Sequence, residues 1–84
     1  MRFIYPKNGS RIGLTNNFEG KTNEMVIKLA HTQPEIGVFW YLNEKFLRQT
    51  QNFHEIGTIP SQGKHSITAI DALGNEVSVT ITIE

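Results

Sequence analysis

The chain has 84 residues, enough for one small domain with a single hydrophobic core. Apolar residues make up 38% of the chain and charged residues 19%, a composition typical of a folded protein and not of a disordered one. Eight basic residues balance eight acidic ones, so no strong field of one sign exists to attract nucleic acid. With no cysteine, the chain can form neither a disulfide nor a zinc site of the common Cys-containing types.

The N-terminal part of the chain predicts a broken edge strand and then a loop. Residues 3–5 form a short strand that Pro6 ends, and residues 11–14 continue it after a turn at 8–10. Residues 15–23 hold Asn and Gly turn formers with a single apolar residue, and we expect the most mobile loop there. No run of apolar residues has the length of a signal peptide or a membrane span, so we expect no membrane insertion.

The rest of the chain predicts antiparallel strands. Apolar residues alternate with other residues in 25–30, 38–42, 46–49, 53–59, 64–70 and 77–83, and a tight turn at 43–45 and a loop of about four residues before the last strand predict hairpins. Ten Ile, four Val and eight Thr favour strands, and no helix of ten residues is supported. About seven strands in a single domain, residues 1–84, predict an all-β fold. We expect a β-sandwich whose strands all run antiparallel. Its predicted core contains Ile27, Trp40, Ile67, Val79 and Ile81.

Two features resemble the immunoglobulin-like pattern. Trp40 lies in the middle of the third strand, where such domains bury a tryptophan. Residues 63–67 have the spacing of the corner that leads into the sixth strand, with His65 where tyrosine is usual, so we expect His65 to bond to backbone. The predicted fold is therefore an immunoglobulin-like β-sandwich.

Three ordered segments resemble the C-terminal domain of the bifunctional penicillin-binding proteins of the 1C type. The segments are Ile-Tyr-Pro-Lys-Asn-Gly-Ser-Arg-Ile at 4–12, Val-Phe-Trp-Tyr-Leu-Asn at 38–43, and the closing hairpin at 63–75. Where that family usually has Gly after its Trp strand, this chain has Glu44 after Asn43.

The resemblance implies a non-catalytic accessory module of a protein that synthesises peptidoglycan. It implies a fragment from the C-terminal end of a longer protein anchored in the inner membrane, with this module in the periplasm. The implied partners are the parent's own transpeptidase domain or a periplasmic regulator, and peptidoglycan glycan is a further candidate. An alternative function is a carbohydrate-binding or adhesive module of a bacterial surface protein.

No motif in the sequence supports catalysis, a metal site or a cofactor. Ser61 and Lys64 have the Ser-x-x-Lys spacing of penicillin-binding enzymes, but that motif needs a helix start, which Pro60 and Gly63 oppose. Gly-Lys-Thr at 20–22 lacks the earlier glycine of a phosphate-binding loop. The three histidines lie on different strands without metal-ligand spacing, and no pair of carboxylates indicates glycosidase chemistry.

The most promising functional feature is a patch of outward-facing apolar residues. If Trp40 points into the core, Phe39 and Tyr41 must point outward, and Ile70 on a neighbouring strand can join them. Three explanations stay open: packing beneath the loop at 15–23, docking on the rest of the parent protein, or binding a separate partner or glycan.

Overall fold

The computed structural model describes residues 1–14 and 24–84, which contain eight strands and no helix. In chain order they are β1 (Arg2–Tyr5), β2 (Arg11–Ile12), β3 (Met25–Ala30), β4 (Val38–Leu42), β5 (Lys45–Thr50), β6 (Glu55–Thr58), β7 (Gly63–Asp71) and β8 (Glu76–Ile83). The predicted all-β class is confirmed.

The described strands form two sheets that share one hydrophobic core. One sheet has the order β1-β3-β6 and the other the order β2-β8-β7-β4-β5. Buried and more exposed residues alternate along β3, β7 and β8, so each strand turns one apolar face inward. The predicted core is confirmed, because all five residues named above are buried in a single cluster with residues of both sheets.

The broken edge strand divides between the two sheets, which makes the count eight and not seven. β1 pairs antiparallel with β3, whereas β2 pairs parallel with β8. The prediction that all strands run antiparallel is therefore wrong for the β2–β8 pair. The turn at 8–10 brings the chain beside β8, where the Asn8 side chain and the Gly9 N–H both bond to the backbone of Thr80.

Two hairpins set the register of the larger sheet. β7 and β8 are joined by the four residues 72–75, as predicted, and pair without a bulge from Gly63↔Ile83 to Ile70↔Glu76. β4 and β5 are joined by only two residues, Asn43 and Glu44, with φ angles of 52° and 70°. Positive φ at both positions matches the twist of the flanking strands and is typical of two-residue hairpin loops.

Candidate functional site

The Ser-x-x-Lys motif lies at a corner that leads into a strand. Lys64 is exposed on β7, and Ser61 is exposed just before that strand. The Ser61 carbonyl accepts a 2.6 Å hydrogen bond from His65, which holds the corner in place. This geometry lacks the helix start that acylation chemistry needs.

His65 bonds to backbone, as predicted for a corner residue. Its Nε2–H donates to the Ser61 carbonyl, and its Nδ1 accepts a 2.8 Å hydrogen bond from the Asn43 side chain. Asn43 Oδ1 in turn accepts the Ser66 N–H at 2.9 Å. His65 therefore ties the β4–β5 turn to the start of β7.

A chain of hydrogen bonds runs from the core tryptophan to the loop between β3 and β4. The Trp40 indole N–H donates to Thr50 Oγ1 at 2.8 Å, and the Thr50 hydroxyl lies 2.8 Å from His54 Nδ1. His54 Nε2 lies 2.7 Å from the Pro34 carbonyl, which can only accept, so Nε2 carries the proton. His54 Nδ1 is then free to accept the Thr50 hydroxyl proton, and each group in the chain has a partner.

A second histidine joins the two sheets through a carboxylate. His31, which follows β3, donates from Nε2 to Asp71 Oδ2 at 2.9 Å, and the two side chains are 5% and 0% exposed. His31 Nδ1 accepts the Gln33 N–H at 2.9 Å. The His31 and His54 ring centroids lie 6.1 Å apart, and we call the hydrogen-bonded side chains around these two neighbouring rings the polar network.

Asp71 organises the turn between β7 and β8. Its Oδ1 accepts the backbone N–H groups of Leu73 and Asn75, at 3.0 and 2.9 Å. Its Oδ2 accepts the Asn75 side-chain amide at 3.0 Å in addition to His31. These bonds hold the pKa of Asp71 well below its ordinary value of 3.8, although burial raises it. The bond from the Asn75 side chain lowers this pKa most, followed among the bonds by that from His31.

The buried polar groups are therefore accounted for by structural bonds. Among residues 1–14 and 24–84, no buried side-chain N or O atom lacks a hydrogen-bond partner, and no group of three potential metal ligands occurs. The same residues include no helix with the length and hydropathy that a membrane crossing requires.

The predicted contact residues lie together on the outer face of the larger sheet. Phe39 on β4 lies directly opposite Ile70 on β7, and Tyr41 lies opposite Thr68, two residues farther along the same face. Phe39, Tyr41 and Ile70 are all half-buried, whereas Trp40 between the two aromatic residues is fully buried. We call these three residues the contact patch.

A fourth apolar residue extends the contact patch and was not predicted. Phe46 on β5 pairs with Tyr41, the ring centroids lie 5.7 Å apart in an edge-to-face arrangement, and Phe46 is 51% exposed. The sequence feature that could have predicted the position of Phe46 is the two-residue turn, because that turn places Leu42 opposite Lys45 and therefore Tyr41 opposite Phe46.

An open groove of about 460 Å³ runs beside the contact patch, along the outer face of β7. Its lining combines two apolar residues, two hydroxyls and two carboxylates: Tyr41, Ile70, Ser66, Thr68, Glu44 and Glu76. The larger sheet therefore offers a surface with aromatic, hydroxyl and acidic character.

Two sequence expectations lie outside the described residues. They are the loop predicted at 15–23, including its suggested packing over the contact patch, and the Gly-Lys-Thr segment at 20–22.

Comparison with known proteins places this arrangement in a family. The model of the penicillin-binding protein C-terminus family matches residues 1–82. Searches of curated proteins and of solved structures gave no match. Because the family match spans nearly the whole chain, the chain belongs to the penicillin-binding protein C-terminus family.

Proposed function

We propose that this chain is a non-catalytic accessory module of a penicillin-binding protein that takes part in peptidoglycan synthesis. The module lies in the periplasm, as part of a parent protein anchored in the inner membrane, and it docks through the contact patch. Its partner is the parent's transpeptidase domain or a periplasmic regulator. The family match at residues 1–82 supports the class of parent protein.

We further propose that the sandwich is immunoglobulin-like. The two-sheet order, the divided first strand and the buried Trp40 on β4 support this assignment. His65 supports it as well, because it bonds back to the corner before β7 as the corner tyrosine of such domains does.

The observation that carries the docking proposal is the contrast within one sheet face. On β7 and β8 most of the outward positions hold hydroxyls, including Ser66, Thr68 and Ser78, which bond weakly to one another at 3.2–3.5 Å. On β4 the outward positions hold Phe39 and Tyr41, although hydroxyls satisfy a solvated sheet face equally well. Aromatic residues on an outer face are typical of interface hot spots.

The docking proposal is tested by replacing both rings in the intact parent protein. The double variant Phe39→Ser with Tyr41→Ser should keep the module folded but loosen its attachment, so that limited proteolysis cuts the junction to the rest of the parent faster. The matched control is Val26→Ser with Ile59→Ser, which removes two exposed apolar side chains, 39% and 54% exposed, outside the contact patch. Equal cleavage rates in both variants and in the unchanged parent would rule out docking of the module on its parent through the contact patch.

Glycan binding is a second candidate function. Phe46, Tyr41, Thr68 and Ser78 lie in one row across four neighbouring strands. The two rings are suited to stacking on sugars, and the hydroxyls beside them are suited to bonding to sugar hydroxyls. The 84-residue chain should then be retained on purified peptidoglycan and lose that retention in the Phe39→Ser, Tyr41→Ser variant. Passage of the unchanged chain without retention would remove this function.

The absence of catalysis is tested with a fluorescent penicillin. Because Ser61 lies at a corner before a strand, we expect the intact mass of the chain to stay unchanged after incubation. A stoichiometric adduct at Ser61 would contradict the proposal.

A further inference from the structure

The groove that the contact patch borders is acidic at both ends, and the Tyr41 ring and the Thr68 hydroxyl lie between these ends. Glu44, in the β4–β5 turn, lies at the level of Ser66, because the neighbouring Asn43 bonds to Ser66 through both backbone and side chain. Glu76 lies at the other end, where it pairs with Ile70 on β7. No basic residue of the described chain lines the groove.

The separation of the two ends follows from strand geometry. Ser66 and Ile70 are four residues apart on β7, and four residues of strand span about 13 Å. Tyr41 lies midway, opposite Thr68, and Ile70 lies at the Glu76 end. Glu76 on β8 and Glu44 in the β4–β5 turn flank β7 on opposite sides. An extended segment of a partner that crosses β7 obliquely would place its residues i and i+4 near the two carboxylates and its residue i+2 near the Tyr41 ring.

The backbone conformation of Glu44 is a further observation about this end of the groove. Two-residue turns with positive φ at both positions favour Gly at the second, and Glu44 occupies that position with φ of 70°. Any side chain other than that of glycine is strained at this φ, so the turn alone gives no reason for a glutamate. The Glu44 carboxylate lines one end of the groove.

We propose that this groove binds an extended, cationic peptide segment of the docking partner, with basic side chains four residues apart and an apolar residue midway. The inference rests on the proposed docking function, since the groove adjoins the contact patch. Charge complementarity with Glu44 and Glu76 selects the basic residues, and the ring of Tyr41 adds a surface on which a cation can lie. The groove lies on a sheet face and not at an edge, so side chains and not backbone pairing make the contacts.

The proposal is tested by titrating the 84-residue chain with short peptides and following backbone amide chemical shifts by NMR. The probe is acetyl-Gly-Lys-Ser-Leu-Ser-Lys-Gly-amide. Its isomer acetyl-Gly-Ser-Lys-Leu-Lys-Ser-Gly-amide has the same charge with the lysines two residues apart, and a third peptide replaces both lysines with glutamates. We expect shifts at residues 41–44, 66–70 and 76, several-fold weaker binding of the isomer, and no binding of the acidic peptide.

Variants of the chain provide the second arm of the test. Glu44→Gln with Glu76→Gln should weaken binding of the probe about five- to tenfold, as expected for the loss of two exposed ion pairs. The matched control, Glu35→Gln with Glu84→Gln, removes two exposed carboxylates elsewhere and should bind as the unchanged chain does. Glu44→Gly should also weaken binding while leaving the melting temperature equal or higher, because glycine relieves the strained turn.

Three results would overturn the proposal: no shifts with the probe, equal binding of the isomer, or unchanged binding in the Glu44, Glu76 variant. Binding of a glucosamine oligomer at the same residues, in place of the peptide, would assign the groove to amino sugars. Failure of the cationic-segment proposal can be distinguished from failure of the docking proposal. Faster proteolysis of the Phe39→Ser, Tyr41→Ser parent, with no peptide binding, would retain the docking function and reject only the cationic segment.

Discussion

The polar network and the contact patch use opposite kinds of residue for opposite purposes. The polar network, which includes His31, Thr50, His54 and Asp71, contains side chains that often perform catalysis, yet each bonds to another part of the domain. The contact patch consists of two aromatic residues and an isoleucine, whose side chains remain half-exposed on the outer face of a sheet. Structural hydrogen bonds therefore account for the histidine and aspartate side chains of the polar network.

The difference follows from the cost of leaving a group without a partner. A buried polar atom without a hydrogen bond destabilises the fold, so the side chains of the polar network form hydrogen bonds within the domain. An apolar side chain on an outer face costs little in the free domain and gains free energy when a partner covers it. This gain in free energy is the basis of the docking that we propose for the contact patch.

The largest expected effect comes from removing the residue that joins the core to the polar network. Trp40→Ala should destabilise the domain by about 3–5 kcal/mol, against a total stability of about 4–13 kcal/mol for a chain of this length. Urea denaturation followed by circular dichroism measures this loss. Trp40→Phe is the control, because it retains most of the packing but loses the N–H that bonds to Thr50. If Trp40→Ala melts as the unchanged chain does, Trp40 does not lie in the core.

A smaller effect is expected from breaking the polar network at its central hydroxyl. Thr50→Val should cost about 1–3 kcal/mol, because it leaves the Trp40 N–H and His54 Nδ1 without partners. Thr50→Ser keeps the hydroxyl and should recover much of the loss in the same denaturation experiment. Equal stability of the Val and Ser variants would show that the hydroxyl contributes nothing to stability.

Asp71 makes the stability that the polar network contributes dependent on pH. Because folding lowers its pKa, Asp71 contributes stability that is fully present above its ordinary value of 3.8 and is lost as the pH falls below it. Asp71→Asn preserves an oxygen for the two backbone N–H groups of the turn but opposes the donors of His31 and Asn75. The variant should be less stable at pH 7.

The measurement for Asp71 is the melting temperature between pH 2 and pH 7. The unchanged chain should lose stability more steeply below pH 4 than Asp71→Asn does, and Glu35→Gln, which removes an exposed carboxylate, should follow the unchanged chain. Parallel curves for all three proteins would contradict the linkage of folding to Asp71.

The smallest effect on stability is expected at the contact patch. Phe39→Ser with Tyr41→Ser removes only half-buried side chains, so the domain should keep its cooperative unfolding and lose far less stability than Trp40→Ala does. Thermal unfolding of the 84-residue chain compares the two variants directly. A loss as large as that of Trp40→Ala would show that the contact patch is part of the core, and the contrast between the two regions would fail.

Local sequence patterns determined the strands, the core and the outward face. Alternation with period two places Ile67 and Ala69 inside and Ile70 outside, whatever partner a strand finds, because successive side chains point to opposite faces. The same rule predicted that Phe39 and Tyr41 face away from Trp40. Turn chemistry at residues 72–75 predicted the closing hairpin.

Only the tertiary structure decided which distant residues meet. Asp71 follows His31 by 40 residues, and no local pattern shows that the ends of β3 and β7 bring them to 2.9 Å. The parallel pairing of β2 with β8 likewise depends on which strand the chain meets after the turn at residues 8–10, and turn residues by themselves do not specify that strand. Alternation specifies the face on which a side chain lies, whereas the strand beside it depends on how both sheets pack around the whole core.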